Sequence, residues 1–132
     1  MNEDQNRSET LSETLCRFFS EAGDLPCVPE TWRNGAACLR LTGSAYPVRE
    51  YVDGSAVNAV PFEIRLRCEG GDVSEKLAVL AWFDGLADYV KHHAPADGIR
   101  VRTASGASKS AVYDDGSEEY RMALTAEIRI PA

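Results

Sequence analysis

The sequence predicts an α+β domain in which two helices cover one face of a mainly antiparallel sheet, in the order α-β-β-β-α-β-β-β. Three observations carry this reading. Two stretches have helical apolar spacing, several others alternate apolar and polar residues, and Asp-Gly-Ser turns join neighbours by hairpin-length links. The chain's 132 residues suit one domain, taken as residues 8–132 behind a polar, disordered lead at residues 1–7. Hydrophobic residues at 44% and charged residues at 27% give an ordinary globular balance, which excludes a collagenous, coiled-coil or wholly disordered chain.

The first helix reads from Ser8 to Ala22, where Leu11, Leu15, Phe18, Phe19 and Ala22 recur at helical spacing. Thr10 with Glu13 forms a candidate capping box, Ser8 is a competing cap, and Gly23 followed by Pro26 ends the helix. Residues 24–35, with two prolines and Trp32, read as an irregular connection. Alternation then begins at Ala37 and stops at Gly43. A second strand runs from Pro47 to Val52, and Asp53-Gly54-Ser55 turns the chain into a long strand from Val57 to Glu69. Along it Phe62, Ile64, Leu66 and Cys68 share one face, and Glu63, Arg65, Arg67 and Glu69 the other. Pro61 inside this run has no N–H to give, so it requires an edge, a bulge or a kink.

Gly70-Gly71 ends that strand, and Asp72 with Glu75 caps a second helix from Val73 to His93. Its apolar positions exceed one stripe, which points to burial inside the fold or beneath another subunit. A short strand follows at Ile99–Thr103, then a Ser/Gly/Ala-rich stretch from Ala104 to Ser108. Beyond a second hairpin signal at Asp114-Asp115-Gly116-Ser117, Tyr120, Met122, Leu124, Ala126, Ile128 and Ile130 alternate along the final strand.

The net charge of -7 argues against a protein built to grip phosphate backbones. No apolar run reaches the ~20 residues of a membrane span, and Met1–Arg7 has no secretory signature, so a cytosolic chain is expected. Cys16, Cys27, Cys38 and Cys68 form no Cys-x-x-Cys pair and read as small buried hydrophobes. His92 and His93 point about 100° apart on a helix, and with Asp88 one turn earlier they read as a solvated helix end rather than a metal site. Catalytic serine elbows and phosphate-binding glycine loops are lacking, so no catalytic, cofactor-binding or metal residue is assigned and no enzyme activity is expected. The outward row Glu63, Arg65, Arg67 and Glu69, facing Arg121, Thr125, Glu127 and Arg129, is either a solvated sheet face or an interface.

From Arg49-Glu50-Tyr51-Val52-Asp53-Gly54-Ser55 through Pro61-Phe62 and Arg65, the chain resembles tailed-bacteriophage minor capsid or tail-terminator-like proteins. Trp82-Phe83, Asp115-Gly116 and Tyr120 continue the resemblance in order. The resemblance implies a tail-terminator-like fold and a phage or prophage structural protein: a homo-oligomeric ring, commonly a hexamer, at the head–tail junction. That ring meets tail-tube and head-completion proteins, lets DNA pass without specific binding, uses no cofactor, contacts no membrane, and sits in the virion after assembly from the host bacterial cytoplasm. Arg49, Tyr51, Asp53, Glu63, Arg65, Arg67 and Trp82 are then candidates for the subunit interface. Asp114, Asp115, Glu118 and Glu119, the densest acidic cluster, are candidates for a channel-facing collar that repels DNA. The alternative is a small soluble ligand-binding domain or an enzyme of unknown chemistry.

Overall fold

The structure, a computed structural model, describes residues 3–30, 35–69 and 72–132, with side chains in the first helix from Leu11 onward. Two 13-residue strands form its spine: β4 (Ala56–Cys68) and β7 (Glu118–Ile130) pair antiparallel from Ala56↔Ile130 to Cys68↔Glu118. On the far side of β4 lie β2 (Ala37–Leu41) and β3 (Tyr46–Glu50); on the far side of β7 lie β5 (Ile99–Thr103) and β6 (Ser108–Val112). A seventh strand, β1 (Cys27–Pro29), pairs parallel with β2.

The fold is therefore α+β, as expected, with two helices and a mixed sheet. The segment read as an irregular connection supplies β1, which is three residues long and carries Pro29, too short for an alternation signal. Trp32 and Gly70-Gly71 lie outside the described residues.

Helix α1 (Glu3–Gly23) begins inside the segment expected to be disordered and runs through Ser8 and Thr10, so neither of them caps it. Once a downstream face is packed, each further turn of helix costs little. Helix α2 (Val73–His92) is capped by Asp72, which accepts from Ser74 N; Glu75 reaches back instead to Glu69 N, at 3.0 Å.

Both helices pack on the sheet face formed by the even-numbered residues of β4 and β7. Leu15 and Phe19 of α1, Phe83 and Leu86 of α2, Phe62 and Ile64 of β4, and Met122 and Leu124 of β7 are all buried together. Each such side chain contributes on the order of 2 kcal/mol. The breadth of the apolar surface on α2 is largely explained by α1: Trp82 Nε1 donates to Gly23 O at 2.9 Å, and the Phe18 and Tyr89 rings lie 5.2 Å apart. Its large exposed apolar residues, Val73 and Leu77, lie toward the N-terminal end.

Pro61 sits where β3 and β2 both leave the flank of β4. Its carbonyl accepts from Thr42 N at 3.0 Å, and its missing N–H faces the gap between the two short strands.

The two halves of the sheet repeat with a shift of 62 residues: Ala37 maps to Ile99, Tyr46 to Ser108 and Ala56 to Glu118, so β2, β3 and β4 correspond to β5, β6 and β7 in bounds and in length. Registers repeat too. Leu41↔Phe62 corresponds to Thr103↔Leu124, and the irregularity between Pro47 and Arg49 to that between Lys109 and Ala111. A pseudo-dyad thus passes through the pair Phe62↔Leu124, each the repeat equivalent of the other. Both halves read α-β-β-β, and β1 is the extra element of the first.

Candidate functional site

The two Tyr-x-Asp-Gly-Ser turns, Tyr51–Ser55 and Tyr113–Ser117, have one geometry. Each closes with the tyrosine N–H on the serine carbonyl at 2.9 Å, and the aspartate Oδ1 accepts the serine N–H at 2.9 Å and its hydroxyl. The serine hydroxyl, then its backbone N–H, holds the Asp53 and Asp115 carboxyls below their usual range. Glycine is required at the following position, since Gly54 and Gly116 have φ of 91° and 87°.

The second turn is clamped to the sheet by Arg67. Its guanidinium lies 3.8 Å from the Tyr113 ring centroid, its Nε donates to Ser117 Oγ at 3.0 Å, and it pairs with Asp115 at 3.7 Å. Arg129, its repeat equivalent, stands near Asp53 of the first turn and helps lower that carboxyl. The first turn is the more open. Tyr51 and Val52 are exposed at its tip, Val52 fully so, and Arg49 Nη1 reaches the Tyr51 hydroxyl at 3.4 Å.

Strand β3, which leads into that turn, is exposed at every position, with Tyr46 and Val48 each 49% accessible. Together β3 and its turn form an arm carrying four large exposed hydrophobic residues at a sheet edge. Arg49, Tyr51 and Asp53 of the expected interface set belong to this arm.

Glu63, Arg65 and Arg67 lie elsewhere, on the outer face of β4, and their first partners are in their own chain. Arg65 Nη2 meets Glu119 Oε2 at 2.5 Å, Arg65 Nε is 3.8 Å from Glu63, and Arg121 approaches Glu63 at 3.6 Å. Ser110 Oγ adds a bond to Glu119 at 3.0 Å. Trp82 is likewise engaged between the two helices.

The four residues of the acidic cluster do not stand together in the folded chain. Successive strand residues point to opposite faces, so Glu118 and Glu119 separate and both are buried. Glu119 belongs to the outer network. Glu118 turns inward to Lys76 at 3.2 Å, Lys109 at 3.4 Å and the Tyr120 hydroxyl at 3.1 Å. Burial pushes its carboxyl up, but the bonds from Lys76, Tyr120 and Lys109 outweigh that and hold it below the usual range. Asp115 is tied to Ser117 and Arg67, and only Asp114 projects without such ties. These four residues do not form a free negative collar.

At the other end of α2, His93 stacks on Tyr89 with centroids 4.0 Å apart, and His92 lies 3.9 Å from Asp88. Among the described residues no group of three His, Cys, Asp or Glu is placed to hold a metal ion, and no helix is long and apolar enough to cross a membrane. All four cysteines are buried thiols. Two open cavities flank β5. One of about 500 Å³ lies against the end of α2, and one of about 520 Å³ lies between β5, β7 and Tyr51.

No protein-family model matches the chain, and no curated protein is significantly similar to it.

Proposed function

We propose that this protein is a phage or prophage structural subunit of the minor capsid or tail-terminator kind, forming a ring at the head–tail junction. The observation that carries the reading is the arm. Tyr46, Val48, Tyr51 and Val52 stand exposed on one edge strand and its turn, a concentration of apolar surface that a solitary domain gains nothing by displaying. The exposed Val73 and Leu77 on α2 offer a second apolar surface, and contact between unlike surfaces of neighbouring copies closes rings. The sequence resemblance through Arg49–Ser55 and Pro61-Phe62 supplies the phage context.

In this reading Arg65, Arg67, Glu63 and Trp82 hold the subunit together, and the arm makes the contact. A ring that halts tail-tube growth needs a rigid body and a projecting contact, not a reactive centre. The paired substitution Tyr51→Ser with Val52→Ser is therefore expected to leave the circular dichroism spectrum and melting midpoint near wild type. It should abolish capping of tail-tube ends, scored in electron micrographs of protein mixed with a phage tail-tube protein. Undiminished capping by this variant would remove the arm from the interface.

A further inference from the structure

We propose that the groove between the C-terminal end of α2 and the open edge of β5 is a strand-addition site for an extended, acidic segment of another polypeptide. The pseudo-dyad locates this groove. Beside β2, the repeat equivalent of β5, the chain places β1; the corresponding position beside β5 is the cavity of about 500 Å³.

The backbone groups that receive β1 are known, and each has a counterpart. Ala37 N donates to Pro26 O at 2.8 Å, Glu30 N donates to Leu39 O at 2.8 Å, and Leu41 N donates to the Glu30 carboxylate at 3.2 Å. The equivalents are Ile99, Val101 and Thr103. Ile99 N is taken by Ala96 O at 3.1 Å. The antiparallel alternation with β7 runs from Arg129 N on Gly98 O to Ala104 N on Ala123 O, so the Val101 and Thr103 peptide groups face away from β7. Among the described residues nothing takes the carbonyl of Val101 or the N–H of Thr103, the pair that in the other half binds the backbone and carboxylate of one glutamate.

Charge selects the same kind of segment. Lys91, His92, His93, Arg100 and Arg102 line the groove; Arg102 is paired with Glu127 and His92 lies near Asp88, which leaves Lys91 and Arg100 as its cations without a counter-charge among the described residues. These two cations favour an acidic strand, and β1 itself is bracketed by Asp24 and Glu30. The β1 edge is less open: Ser20 Oγ takes the Cys27 N–H at 2.9 Å, and Pro29 carries no N–H. Main-chain pairing gives such a contact its affinity, and the glutamate gives it direction. The site rests on this geometry; that its strand comes from a head-side or tail-side neighbour rests on the assembly reading.

The test is fluorescence anisotropy with a labelled peptide, Asp-Leu-Pro-Ser-Val-Pro-Glu, which copies the β1 segment with serine for cysteine. Saturable binding to the full-length protein is expected, weakened about tenfold or more by Thr103→Pro, by Arg100→Glu, or by lysine in place of the peptide's terminal glutamate. Hydrogen exchange should show the Thr103 amide protected when peptide is added. Thr103→Pro alters one edge amide, and Arg100→Glu, at an exposed position, keeps the question answerable if that variant fails to fold. Absence of saturable binding at millimolar peptide overturns the site, as does binding indifferent to both protein substitutions. If sedimentation velocity shows wild-type self-association that Thr103→Pro abolishes, the edge takes a second copy of this chain and the choice of partner is overturned. Peptide binding with uncapped tail tubes leaves this site standing and removes the assembly reading; the reverse pair of results does the opposite.

Discussion

Arg65→Glu is expected to cost on the order of 2–4 kcal/mol of folding stability, somewhat less than the ~3–5 kcal/mol for a fully buried ion pair because the Arg65 side chain is 27% exposed. Arg65 is the cation between Glu119 and Glu63, whose side chains are only 5% and 10% exposed. Glutamate there leaves three carboxylates together, with Arg121 at 3.6 Å from Glu63 and the Ser110 hydroxyl as the nearby relief. A domain of this size has roughly 5–15 kcal/mol in all, so the urea midpoint should fall steeply or the native state be lost. The sequence reading of Arg65 as a subunit contact predicts the reverse, an unchanged fold with lost assembly. An unshifted midpoint would therefore return Arg65 to the interface.

Phe62→Ala is expected to cost about 3–5 kcal/mol, the range for emptying a large buried aromatic site. Phe62 is fully buried at the pseudo-dyad, opposite Leu124 in the central pair and 5.9 Å from the Phe19 ring. The cavity would open where both halves and α1 meet, so neither half can close on it by moving alone. Equilibrium denaturation measures this directly. A loss below about 1 kcal/mol would mean that the centre of the sheet is not where the two halves hold each other.

Much of this architecture was legible because period and turn chemistry act locally. The alternation along Phe62–Cys68 and Tyr120–Ala126 matches the buried face, while Ile130 at the strand end is exposed, and Asp-Gly-Ser marks both hairpins. Strand β1 was not legible, since three residues held between Ser20 and β2 carry no period of their own. The separation of the acidic cluster was hidden for a different reason. Counting charge along Asp114–Glu119 ignores the strand period, which already sets Glu118 on the face of Tyr120 and Glu119 on the face of Arg121. A signal for the duplication was present in the second occurrence of Tyr-x-Asp-Gly-Ser, at Tyr51 and again at Tyr113, together with Arg67 and Arg129 one repeat apart. The arm could be read as a turn but not as an exposed apolar edge, because exposure of Tyr46 and Val48 depends on which strands flank β4.

Electron microscopy of the purified protein mixed with a phage tail-tube protein decides whether this chain caps a tail tube as a ring. Capping gives tubes of limited length that end in a ring of density formed by this protein, absent when the protein is omitted. Tubes that grow unchecked with bare ends, while the protein remains dispersed in the background, would rule capping out.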